Sequence, residues 1–242
     1  MAKTKKITIC NYDVICNKTH KPSAIYKYFQ QIATEDLDTF GLDSESLFDK
    51  GLAFVLARMK TVFYKPLSCY ESLTLTSCHR RTKGVSFIRD YVLYSGDEKV
   101  AETSSYWVLI DIDSRKICRP SVIQSDSVLN ELCSFEIDER FSFPENTKTA
   151  FYPYKVVFSD IDENHHMNNT RYPDICLDAI NGIGENEFVS EIRIDYLNEA
   201  RLSDELVLEH TIVSQDGCYF YRAENKTTSA KCFDAIIKIN KI

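Results

Sequence analysis

Residues 23–40 read SAIYKYFQQIATEDLDTF, and this run, taken with the stretches behind it, decides the architecture. Ile25, Phe29, Ile32, Ala33, Leu37 and Phe40 recur at helical spacing. Pro22 precedes the run and Gly41 closes it, as helix ends prefer. Behind this helix lie four stretches at residues 54–65 (FVLARMKTVFYK), 71–82 (ESLTLTSCHRRT), 85–95 (VSFIRDYVLYS) and 100–113 (VAETSSYWVLIDID). Several alternate apolar and polar residues with period two, which predicts antiparallel strands.

The pattern then recurs. Residues 169–183 (NTRYPDICLDAINGI) carry a second helical stripe through Tyr172, Ile175, Cys176, Ala179, Ile180 and Ile183, with Pro173 near its start and Gly182 or Gly184 available to end it. Strand-like stretches come next at 188–199, 204–215, 218–226 and 230–240. The halves align as a weak repeat. Asp13 set on Asp160 places Asn17 on Asn164, and residues 71–75 set on 204–208 align ESLTL with DELVL. The offset is 147 in the first case and 133 in the second, so the second half has a shorter connection.

A sheet that curls around a long helix covers the helix's apolar face. Two such units paired edge to edge remove exposed sheet edges. The predicted fold is therefore α+β, a tandem or double hotdog. Residues 1–125 form the first hotdog, 126–150 a connector with a short helical start, and 151–242 the second hotdog.

Composition narrows the function. The net charge of −7 makes the chain a poor general nucleic-acid binder. The basic groups Lys3, Lys5 and Lys6, and the cluster Arg80, Arg81 and Lys83, read first as solvated faces. No apolar run exceeds strand length, so no membrane span is expected. Nine cysteines, an odd number with no C-x-x-C pair and no secretory apolar run behind the N-terminus, point to free, mostly buried thiols in a reducing cytoplasm.

Residues 159–172, SDIDENHHMNNTRY, concentrate carboxylates, three asparagines and two histidines just before the second helix. Asp160, Asp162 and Asn164 match the opening of a calcium loop, but His165 stands where glycine is needed and Arg171 where glutamate is needed. Adjacent His165 and His166 point apart and lack the remaining ligands of a zinc or iron site. A plainer reading is a capping loop, with Asn168 or Asn169 receiving free helix N–H groups. Capping does not call for Asp162, Asn164 and His166 at steps of two. On an extended segment those three share one side, ahead of a helix N-terminus able to hold a developing oxyanion.

This stretch resembles the D-x-N-x-H-x-N-N signature of the acyl-acyl-carrier-protein (acyl-ACP) thioesterases, enzymes that end fatty-acid synthesis. The resemblance covers the whole plan of two hotdog halves and matches the bacterial members in length. It implies a catalytic set of Asp162, Asn164 and His166, completed by Glu199 in IDYLNEARLSDEL, the counterpart of the family's R-E-C-x-x-D-S segment. Ala200 stands where plant members carry cysteine, so a carboxylate mechanism is favoured over a Cys–His one. Glu199 acts as base on water or attacks directly, His166 positions water or shares its proton, Asn164 donates an N–H, and Asp162 orients its neighbours.

In the first half Ile15, Thr19 and Pro66 replace Asp162, His166 and Glu199, and only Asn17 persists. One active site per chain is expected. The first half instead offers an acyl pocket near Tyr26, Phe29 and Phe40. The implied partner is acyl carrier protein, itself acidic, with Arg80, Arg81 and Lys83 as a candidate docking patch. Acyl-CoA stays open as substrate, and a homodimer stays open as assembly. A hotdog dehydratase and a non-catalytic acyl-binding module are the competing functions. No cofactor or metal is required.

Overall fold

The computed structural model describes residues 2–39, 42–80, 82–122, 132–138, 141–212 and 216–242. The first half runs β1 (Lys3–Thr8), α1 (Pro22–Asp38), α2 (Ser44–Phe48), β2 (Leu52–Phe63), β3 (Ser72–His79), β4 (Ser86–Ser95) and β5 (Glu98–Asp111). The second runs β6 (Thr149–Lys155), α3 (Tyr172–Ala179), β7 (Glu187–Tyr196), β8 (Glu205–Thr211), β9 (Cys218–Asn225) and β10 (Ala230–Lys241). All strands join one ten-stranded antiparallel sheet in the order β1-β3-β4-β5-β2-β7-β10-β9-β8-β6. Each half contributes five neighbouring strands in matching order. This is the double hotdog that the sequence predicts.

The halves meet where β2 pairs with β7, from Arg58 opposite Asp195 to Val62 opposite Glu191. Lys60 lies opposite Arg193, and the repeat offset of 133 carries one onto the other, so a pseudo-twofold axis passes through this pair. Like charges face each other there, and local partners compensate. Lys60 Nζ lies 3.0 Å from Glu191, and Arg193 Nε donates to Asp195 at 2.9 Å.

Helix α1 starts with Pro22 and lays Ile25, Phe29, Ile32 and Ala33 against the sheet, all buried. One position departs from the expected stripe. Asp36 is buried and Leu37 only half-buried, because Asp36 pairs at 2.9 Å with the buried Arg89 of β4. Phe40 and Gly41 lie outside the described residues. Helix α3 is shorter than the stripe of residues 169–183. It is preceded by a 3-10 turn (Asn169–Arg171) and ends at Ala179. Asn181 and Gly182 then take left-handed backbone angles, and the Gly182 N–H donates to Leu177 O at 2.8 Å. The short α2, capped by Asp43 on the Ser46 N–H at 2.8 Å, has no counterpart in the sequence reading. The two main helices pack on one another, and one apolar core runs through both halves.

Several hydrogen bonds recur in both halves. Asp13 accepts from the Cys10 N–H and the Tyr28 hydroxyl, and Asp160 accepts from the Val157 N–H and the Tyr154 hydroxyl. Ile15 N–H donates to Thr19 O at 2.9 Å, and Asp162 N–H donates to His166 O at 2.9 Å. Tyr70 N–H donates to Ile9 O, and Ser203 N–H to Val156 O.

The face of the sheet away from α1 is crossed by part of the connector. Tyr91 stacks on Phe29 of α1, so its neighbour Asp90 points to the opposite face. There Asp90 accepts the Leu132 and Cys133 N–H groups and the Arg80 Nε–H. Further along, Arg58 and Arg193 both donate to Asp138 O, and Phe141 and Phe143 lie under Arg193 and Arg222. The short helix expected at the connector's start falls on residues outside those described.

Arg80 is therefore not a docking residue. Its side chain is 4% exposed, paired with Asp90 at 2.6 Å, and bonded to Phe135 O. Lys83 is exposed and pairs with Glu136 of the connector at 2.8 Å, and Arg81 lies outside the described residues. Lys3 and Lys5 sit on the edge strand β1 and reach Glu35 of α1; charge there discourages edge pairing. The nine cysteines are free, but only Cys78, Cys133, Cys176 and Cys232 are buried, fewer than the sequence suggested. No helix among the described residues is long and apolar enough to cross a membrane.

Candidate active site

The motif loop hangs from Asp160. This buried carboxylate accepts from the Val157 N–H at 2.9 Å, the Tyr154 hydroxyl at 2.7 Å and Arg171 Nε at 2.9 Å. Its carbonyl accepts the Asn168 N–H at 2.8 Å. Between these anchors the chain makes a tight hairpin rather than the extended run that the spacing suggested. Ile161 bridges to Met167, His165 N–H donates to Asp162 O at 3.0 Å, and His165 adopts φ 61°. Backbone bonds across the turn, among them Asp162 N–H to His166 O at 2.9 Å, replace the simple period-two alternation. Asp162 Oδ1 accepts the backbone N–H of Asn164 at 2.9 Å and so shapes the turn. Asn164 is exposed. Asn168 provides the helix cap, accepting from the Thr170 N–H at 2.9 Å.

Glu199 arrives from the loop after β7. Leu197 and Asn198 N–H both donate to Cys232 O at 3.0 Å, and the Asn198 side chain donates to Lys231 O. Buried Ala200 accepts the Met167 N–H at 2.7 Å, which stitches this loop to the motif hairpin. His166 Nε2 then lies 3.0 Å from Glu199 Oε2. The other carboxylate oxygen, Oε1, accepts from Arg115 Nη1 at 2.9 Å. Arg115 belongs to the first half, in the hairpin after β5, and nothing in its sequence surroundings singled it out.

Burial is the main cause that lowers the His166 pKa from its ordinary value. Glu199 and Asp162 pull it up, whereas Arg201 and Arg115 push it down. The ring is thus neutral at neutral pH. Its Nε2 faces the Glu199 carboxylate at 3.0 Å, within reach for proton exchange.

A cleft bounded by Tyr26 and Phe29 of α1, Met59 of β2, Trp107 of β5 and Tyr196 of β7 extends to Asn169 and Thr170, at the turn after the motif hairpin. The Tyr196 hydroxyl donates to Asn169 O at 3.1 Å and ties that turn to the sheet.

The corresponding loop of the first half is closed. Asn17 donates to Gly184 O at 2.9 Å and Glu187 O at 2.8 Å, and accepts from Thr19. His20, close by, is buried against Phe63 with ring centroids 4.0 Å apart. Its Nε2–H donates to Val189 O and its Nδ1 accepts from the Leu67 N–H, both at 3.2 Å. Burial lowers its pKa to about 3. Asn17 is therefore a clamp between the halves.

The sequence profile for the acyl-ACP thioesterase N-terminal domain matches residues 2–126, and that for the C-terminal domain matches residues 144–240. Over 217 residues the chain is 23% identical to the chloroplastic palmitoyl-acyl carrier protein thioesterase of Arabidopsis thaliana, covering 81% of this chain and 51% of that one. The chain thus spans about half the length of that curated relative. The fold superposes on an acyl-ACP thioesterase from Bacteroides thetaiotaomicron VPI-5482 with a TM-score of 0.86 at 18% identity, covering 99% of this chain and 98% of that one. It superposes on the 12:0-ACP thioesterase from Umbellularia californica with a TM-score of 0.84 at 14% identity, covering 100% and 98%. At these identities the structural likeness concerns the fold, while the two profile matches together take in nearly all of the sequence. The chain belongs to the acyl-ACP thioesterase family.

Proposed function

We propose that this chain hydrolyses the thioester of fatty acyl chains carried on acyl carrier protein, releasing free fatty acid at one site per chain. The observation that carries the reading is the 3.0 Å contact between His166 and Glu199, brought together from two loops. In this reading residues 151–242 supply the catalytic half, residues 1–125 hold the acyl chain against Tyr26 and Phe29, and 126–150 connect them.

Glu199 takes a proton from water, whose oxygen attacks the thioester carbonyl. The carbonyl oxygen becomes an oxyanion, received by N–H donors at the motif turn and by Asn164. Collapse breaks the carbon–sulfur bond and returns the electron pair to sulfur. A thiol of pKa about 8.5 departs with little acid help. The proton held by Glu199 passes to the departing sulfur, which restores the carboxylate, and His166 at 3.0 Å keeps that carboxylate aimed at the water. Asp162 acts through the turn rather than on the substrate.

The deciding experiment offers the enzyme acyl-ACP and acyl-CoA of graded chain length and follows free thiol by dye and free acid by mass spectrometry. Equal release of thiol and acid, with higher kcat/KM for the carrier-protein substrate, is expected. A double bond formed without thiol release would make it a dehydratase. Binding without turnover would make it an acyl-binding module, and preference for acyl-CoA would reassign the substrate.

A further inference from the structure

We infer that Arg115 is a positioning residue for Glu199, so that the half of the molecule without its own polar set completes the site of the other half. The inference rests on the reading of Glu199 as the catalytic carboxylate.

The geometry is specific. Glu199 has one partner on each oxygen, His166 on Oε2 and Arg115 on Oε1, at 3.0 and 2.9 Å. A glutamate held at one oxygen can still swing about its side-chain bonds; one held at both presents a fixed face to water. The side chain of Glu199 is 32% exposed, so packing alone does not immobilise it.

Arg115 is itself aimed by its backbone. It sits at φ 56° in a tight hairpin, its N–H donating to Asp111 O at 2.9 Å. Ser114 donates its N–H and its hydroxyl to Asp111 Oδ1, and Ile110 bridges to Ile117. Ile112 N–H donates to Gly51 O at 2.9 Å, which fastens the hairpin to the segment entering β2.

A guanidinium stays protonated throughout the working range, so Arg115 neither gives nor takes a proton. What it offers is direction and a fixed positive charge. The pair is too exposed, at 50% for Arg115, to matter much for folding. Its effect therefore belongs in turnover, where misplacement of a reacting group is costly.

The test uses the full chain. Arg115→Gln should lower kcat by about 10- to 100-fold, with little change in KM or melting temperature, and Arg115→Lys should restore part of the loss. A second readout needs no turnover. The His166 ring is faced by Glu199, Asp162, Arg201 and Arg115; its titration, followed by NMR, should move to higher pH in Arg115→Gln. Glu199→Gln serves as the control. If Glu199→Gln is inactive while Arg115→Gln keeps wild-type kcat and an unmoved His166 titration, Arg115 is a bystander and the site reading stands. A higher kcat in Arg115→Gln would make the pair a restraint and overturn the inference. Full activity in Glu199→Gln would overturn both.

Discussion

His166 and Glu199 owe their meeting to backbone bonds rather than to their own attraction. The Met167 N–H to Ala200 O bond fixes the two loops one residue beyond each side chain. Replacing either side chain should leave the fold standing and remove chemistry. Glu199→Ala is expected to lower kcat by about 10³ and His166→Ala by about 10², with circular dichroism unchanged; full turnover in either variant removes that residue from the mechanism. Two other histidines matter for stability. Burial is the main cause that lowers His20 and His79 to about 3. His20 is faced by the Val189 carbonyl and Leu67 N–H, and His79 by Arg89. In the unfolded chain both titrate near 6.5. Below that value the unfolded state binds protons that the folded state refuses, so this contribution is whole above pH 6.5 and shrinks as pH falls toward 3. One unit below 6.5 each histidine should cost roughly 1.4 kcal/mol, seen as a lower urea midpoint at about pH 5.5 than at 7.5. An unchanged midpoint would mean that neither ring is held neutral.

The elements with strong local periodicity are the ones that the sequence makes legible. Strands β2–β5 and β7–β10 fall where period-two alternation puts them, and α1 begins at its proline. The motif segment reads as extended in the sequence because alternation cannot reveal a hairpin stabilised by its own Asp162 carboxylate and carbonyl. The duplicated loops offer a paired test. Asp160→Ala should cost about 2 kcal/mol, since it leaves the Val157 N–H and the Tyr154 hydroxyl without their acceptor and Arg171 with Asp174 alone, and should also cut activity, because that side chain anchors the motif loop. Asp13→Ala, which frees the Cys10 N–H and the Tyr28 hydroxyl, should cost about 2 kcal/mol and leave kcat within about twofold, since its loop carries no chemistry. Equal losses of kcat in both variants would show that activity follows stability alone.

At the scale of the whole molecule, one sheet and one core serve both halves. The β2–β7 pairing, the Asn17 clamp and the connector across the far face each bind first half to second. Unfolding in urea should therefore be a single transition, with Trp107 fluorescence in the first half and histidine NMR signals of the second changing together; two separated transitions would contradict a shared core. Arg80→Ala should lower stability by about 3 kcal/mol through the uncompensated Asp90 and a loosened connector.

The chain's own sequence was enough for the repeat, the strand pattern, the α+β double hotdog and the family signature, because each is written in neighbours a few positions apart or in a recurring order. Only the folded molecule decided that Arg80 turns inward to Asp90, that Asn17 clamps the halves, and that Arg115 reaches Glu199. Those outcomes depend on the register of a ten-stranded sheet. Register is set by burying one face of every strand at once, and no single stretch of sequence contains it.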